Sequence, residues 1–156
     1  MDRRRLAALT LLAAGGLGVG TANASAGVGP ADFADYIAAF NRHDFEGFSR
    51  FYDDHVLFEG RGRRFETRRQ VVDFYRMAAG RLRESIVVRR AYFGQDGLAA
   101  ELETTLAATR DWPDFFGGPL KAGDVRRSLN FVFYAVRDSR FVHIRSANFK
   151  ELAGQP

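Results

Sequence analysis

An α+β fold, with three helices packed on one face of a bent antiparallel sheet, is predicted by three observations. The first part of the chain carries aromatic residues at helical spacing, the last part carries four long β-prone runs separated by turn residues, and no linker or repeat divides them. At 156 residues, 46% of them hydrophobic, the chain has enough apolar material for one domain core. The fifteen Phe are unusual at this size and imply a very full core or an aromatic-lined cavity.

The elements follow in order. Pro30 suits a first helical position, and Phe33, Tyr36, Ile37 and Phe40 share a face before the polar Asn41, Arg42 and His43, so helix one ends near His43. Asp44 can cap a short second helix carrying Phe45, Phe48 and Phe51, with Asp53 and Asp54 at its exit. Thr67 to Gln70 fits a capping box ahead of Val71, Phe74, Tyr75, Ala78 and Leu82, which gives helix three. Between the second and third helices, 55–59 and a short strand around Phe65 form a hairpin about Gly60 and Gly62. Long strands are then expected over 85–93, 98–109, 125–136 and 141–149, with tight turns at 95–97 and 137–139.

Period-two patterning puts Leu98, Ala100, Leu102, Thr104 and Leu106 on one face and Ala99, Glu101, Glu103 and Thr105 on the other. The later strands differ. Leu129, Phe131 and Phe133 alternate with Asn130, Val132 and Tyr134, so both faces carry bulky groups and the outer one needs a cover. A homodimer is the expected cover. The loop 111–119 holds Trp112, Phe115 and Phe116 among Pro and Gly, and reads either as a pocket lid or as a loop packed on its own domain.

The start of the chain reads as an export signal. Arg3, Arg4 and Arg5 precede an apolar stretch from Leu6 to Val19 and then small residues ending Ala24-Ser25-Ala26. Residues 1–26 are therefore expected to be a cleaved signal peptide, of the general or twin-arginine type, and 27–156 the exported, periplasmic or secreted domain with no stable membrane span. Asp2 to Arg5 supply +2 of the formal charge of +4, and the remaining Arg are interleaved with acidic residues, so no nucleic-acid partner is expected. There is no cysteine for disulfide or thiol chemistry. His43, His55 and His143 fall on different elements at no ligand spacing, and neither a metal nor another cofactor is expected.

The segments 36–44, 51–59, 130–134 and 144–149 carry a resemblance. Over about Asp32 to Glu151 the sequence resembles the nuclear-transport-factor-type superfamily, with its SnoaL-like polyketide cyclases and ketosteroid isomerases, which implies a cone-like fold around a pocket. In the isomerases a helix-one tyrosine and a protonated acid on a late strand hold an enolate oxygen while a carboxylate moves the proton. Tyr36 matches the tyrosine, Glu59 stands at the base, an Asp in the family, and Asn130 stands at the second donor if one residue is allowed in the following hairpin. Without that allowance Phe131 occupies the position.

The resemblance implies a small apolar or polycyclic carbonyl ligand in a pocket lined by Phe58, Leu102, Val132, Tyr134 and Trp112, with proton transfer by an isomerase or cyclase. Burial among rings would then raise the pKa of Glu59. SnoaL-type cyclisation is disfavoured, because its late-strand carboxylate has no counterpart in 141–149. The alternative is a non-catalytic binding or dimerisation domain, in which Tyr36 is a core residue, Glu59 a solvated strand end and Asn130 a cross-strand polar group.

Overall fold

A computed structural model describes residues 27–60 and 62–153; the expected signal peptide lies outside them. No helix among the described residues is long and apolar enough to cross a membrane. The chain runs α1 (Pro30–Asn41), α2 (Phe45–Ser49), β1 (Tyr52–Gly60), β2 (Arg63–Phe65), α3 (Arg68–Ala79), β3 (Leu82–Gly94), β4 (Gly97–Ala108), β5 (Val125–Arg137) and β6 (Arg140–Leu152). The six strands form one open sheet in the order β2-β1-β6-β5-β4-β3. Where the sequence implied an antiparallel sheet, the sheet is mixed: β1 and β6 run parallel, with Phe58 opposite Ile144 and Gly60 opposite Ser146. That pairing joins segments more than eighty residues apart, beyond the reach of turn chemistry.

Local chemistry sets the helix starts. Pro30 opens α1, and the Asp32 carboxylate accepts from the Gly29 N–H at 3.0 Å. Asp44 accepts from the Gly47 N–H at 2.8 Å and so begins α2. Thr67 accepts from the Gln70 N–H, while the Gln70 side chain reaches back to the N–H of Glu66 rather than that of Thr67, displacing one arm of the expected capping box. Asp53 and Asp54 do not cap the exit of α2; both lie in β1, where Asp53 accepts from the His55 N–H and Asp54 pairs with Arg68.

β3 is an edge strand, and α1 covers part of its open rim. The Asn41 amide donates to the Ile86 carbonyl at 2.8 Å and accepts from the Ile86 N–H at 2.7 Å, standing in for a neighbouring strand. The core under α1 is aromatic. Phe33 and Tyr36 meet Tyr134 at ring-centroid distances of 5.4 and 6.1 Å, and Phe141 lies 5.1 Å from Tyr36 and 4.8 Å from Tyr134. A second cluster, with Trp112, Phe115 and Leu120 at its centre, packs the 111–119 loop onto Ala78, Leu82, Leu106 and Ala108.

The convex face departs from simple alternation at one position. Glu103, on the face it shares with Ala99, Glu101 and Thr105, is 5% exposed, because Arg89 and Arg127 fold over it and each bonds one of its two oxygens. Those two hydrogen bonds, Arg127 foremost, hold its carboxyl below the ordinary carboxylate range.

Candidate functional site

α1 and its rings fill one end of the concave face. At the other end α3 spans the gap alone, and a cavity of about 100 Å³ remains between α3, the sheet and the 111–119 loop. Its walls are largely aromatic: Phe58 and Phe65 from the first hairpin, Phe74 and Tyr75 from α3, and Phe115 and Phe116 from the loop. Leu82, Leu106 and Ala78 complete the apolar lining. The polar groups are Arg63 from β2, Glu84 from β3, Thr104 from β4, Asn130 from β5 and Ser146 from β6.

Of the residues expected at the site, Phe58 and Asn130 line this cavity. Asn130 is 4% exposed, and its amide N–H groups are taken up by Thr104 Oγ1 at 3.0 Å and Ser128 Oγ at 3.1 Å. Leu102, Val132 and Tyr134 face the same way but lie under α1, inside the packed core. Trp112 sits one layer behind the cavity wall, its ring 5.0 Å from Phe115. The loop that was open to two readings does both: Trp112 and Phe115 pack down, and Phe116, 37% exposed, forms part of the cavity rim.

Tyr36 and Glu59 do not join Asn130. Tyr36 is buried under α1, its hydroxyl 3.0 Å from that of Tyr52, and burial followed by the Tyr52 phenol pushes its pKa well up. Glu59 follows Phe58 in β1, so strand alternation turns it to the opposite face. There its carboxylate meets His143 Nε2 at 2.8 Å and Arg64 Nη1 at 2.7 Å. The expected rise in its pKa is reversed: the His143 hydrogen bond, with the Arg64 charge behind it, holds the carboxyl below its usual range. A base on the convex face cannot reach a ligand in the cavity.

The cavity contains a carboxylate that the sequence reading passed over. Glu84 shares the concave face of β3 with Leu82 and Ile86 and is the one acidic group among the described lining residues. The strand was expected to begin at Ser85, and starting it at Leu82 adds Glu84 to an otherwise apolar alternation. Tyr75 stands on the facing helix. Burial first, then the nearby Glu84 charge, raise its pKa well above the ordinary phenol value, so it remains a proton donor at neutral pH. Among the described residues no cluster of three or more His, Cys, Asp or Glu could hold a metal.

Solved structures of similar shape share little sequence with this chain. A protein of Xanthomonas campestris provisionally assigned as a polyketide cyclase aligns at 19% identity over 74% of this chain and 85% of its own, with a TM-score of 0.65. A SnoaL-like polyketide cyclase of Agrobacterium tumefaciens aligns at 20% identity over 77% of this chain and 91% of its own, with a TM-score of 0.62. An epoxide hydrolase of M. tuberculosis aligns at 15% identity over 74% and 78%, with a TM-score of 0.61. At such identities the likeness establishes the cone-like fold alone. No curated protein matches the sequence. The SnoaL-like domain profile matches residues 33–144, most of the chain and every element from α1 into β6, and the protein therefore belongs to the SnoaL-like family.

Proposed function

We propose that this protein binds a small apolar carbonyl compound in the cavity beside α3 and moves a proton on it, as a cofactor-free isomerase or cyclase. The observation that carries this reading is the placement of Glu84 and Tyr75 on facing walls of an aromatic cavity. A carboxylate can take a proton from a carbon next to a carbonyl, and a phenol can donate to the enolate oxygen that results. Size restricts the ligand. A cavity of about 150 Å³ holds benzene, so this one, at about 100 Å³ with a mouth at Phe116, takes at most a single ring, part of it at the mouth, and leaves the rest of a polycyclic compound outside.

Binding has a built-in reporter. Trp112 is the sole tryptophan and packs at a tilt against Phe115, which lines the cavity. Titration with acetophenone should change its fluorescence saturably, and filling the cavity by Ala78→Phe should abolish that response. A response unaffected by Ala78→Phe would place the ligand elsewhere.

The convex face supports a second proposal, a homodimer. Phe131, Phe133 and Phe149 are 39%, 53% and 59% exposed on neighbouring strands, with the Phe131 and Phe149 rings 5.0 Å apart. A self-complementary sheet face would cover them. Light scattering at micromolar concentration should report twice the mass of the folded chain, and a monomer would reject the dimer. In the non-catalytic reading the dimer and the cavity remain and only turnover is missing.

A further inference from the structure

We infer that the ligand carries a carboxylate, which docks at the cavity rim between Arg63 and Ser146. This rests on the cavity being the binding site. Arg63 lies opposite Gly60 on one side of β1, and Ser146 lies opposite Gly60 on the other. Directly opposed residues in neighbouring strands point to the same face, so the two side chains flank a position that has no side chain. Gly60 thereby opens a notch about two strand spacings wide, roughly 10 Å between backbones. A Cβ there would enter it and would lie 3.0 Å from Ser146 Cβ.

The Arg63 guanidinium lies over two adjoining rings, its central carbon 4.8 Å from the Phe74 centroid and 4.5 Å from that of Phe116, which are 6.1 Å from each other. Ring faces attract the positive charge but give its N–H donors no strong acceptor. The N–H donors must therefore find acceptors elsewhere. Arg63 Nε is buried and has no acceptor, the one side-chain polar atom among the described residues in that condition. A buried donor without a partner costs free energy that a bound acceptor would recover.

A carboxylate matches these features together. Its two oxygens lie in one plane and suit the fork-like edge of a guanidinium, its negative charge suits a cation walled by rings, and Ser146 can donate to it from across the notch. The ring of the same ligand then extends inward between Phe58, Phe65 and Phe74. Glu84 lies on β3, at the opposite end of the sheet order from β2, so the carboxylate of an aromatic acid is received away from the cavity's own acidic group.

Benzoate and methyl benzoate, which have the same ring and differ in charge, test this through Trp112 fluorescence and calorimetry. Benzoate should bind the unmodified protein at least about tenfold more tightly than the ester, the gain expected of a charge-assisted hydrogen bond. Arg63→Gln should remove the preference, read as the ratio of benzoate to ester affinity within the same variant, since Arg63 also packs on the wall rings that both probes meet. Arg63→Lys, which keeps the charge and loses Nε, should lie between them. Equal affinity for the two probes, or a preference that survives Arg63→Gln, would overturn the carboxylate assignment and leave the cavity reading standing. Ester binding with no benzoate binding would do the same. If neither probe binds, both readings fall.

Discussion

Phe141→Ala should destabilise the fold by about 3–5 kcal/mol, measured as a lower urea midpoint at unchanged slope. Phe141 is fully buried at the start of β6, opposite Tyr52 where the parallel β1–β6 pairing begins. Its ring meets those of Tyr36, Phe51, Tyr52 and Tyr134 at 5.1, 6.3, 6.3 and 4.8 Å. Truncation therefore removes the shared neighbour of four aromatic groups drawn from α1, β1, β5 and the turn before β1. The backbone on either side is tied down, since the Phe141 N–H donates to the Phe51 carbonyl at 2.7 Å, so the void cannot easily collapse. Tyr36→Phe in the same cluster should cost less, about 1–3 kcal/mol, because it strands the Tyr52 hydroxyl that now shares a hydrogen bond with Tyr36. A loss below about 1 kcal/mol for Phe141→Ala would mean that this cluster is not the centre of the core.

How much of this was legible in the sequence depended on the range of the interaction. The helix starts at Pro30, Asp44 and Thr67 rest on bonds within three residues, and periodicity placed the four long strands to within about three residues at each end. The β1–β6 pairing is a long-range event without a local signature, and it decides which side of β1 faces the cavity. Register then settled the site. The resemblance placed Glu59 by its position along the chain, but a one-residue step along a strand reverses the face, and Glu59 fell to the convex side with His143 and Arg64. Glu84 was missed for the complementary reason, that a strand start three residues late cut it from its alternation. The burial of Glu103 has no signal in the alternation of β4, because it depends on two arginines from the flanking strands, β3 and β5.

The site itself predicts the largest functional effect. Glu84→Gln should slow proton exchange on a bound carbonyl compound by about 10²–10⁴-fold, the usual loss when a positioned acid–base group is removed. The assay follows deuterium from solvent into the methyl group of acetophenone by NMR. In this exchange the Glu84 carboxylate takes a methyl proton, the C–H electron pair moves into the enolate, Tyr75 donates to its oxygen, and a deuteron exchanged onto Glu84 returns to carbon. Glutamine keeps the shape and removes the base, so acetophenone affinity read by Trp112 should change less than about threefold while the rate collapses. Tyr75→Phe should give a smaller loss, on the order of tenfold to a hundredfold, because one donor to the oxyanion is removed while the base remains. Glu59→Gln provides the opposing control. Its carboxylate is paired on the convex face, so neither rate nor affinity should move. Exchange that survives Glu84→Gln would remove Glu84 from the chemistry, and exchange lost in Glu59→Gln would return the base to that position. A protein that binds acetophenone but catalyses no exchange above solvent is a binding module, with Glu84 and Tyr75 fixing the ligand's orientation instead of moving its proton.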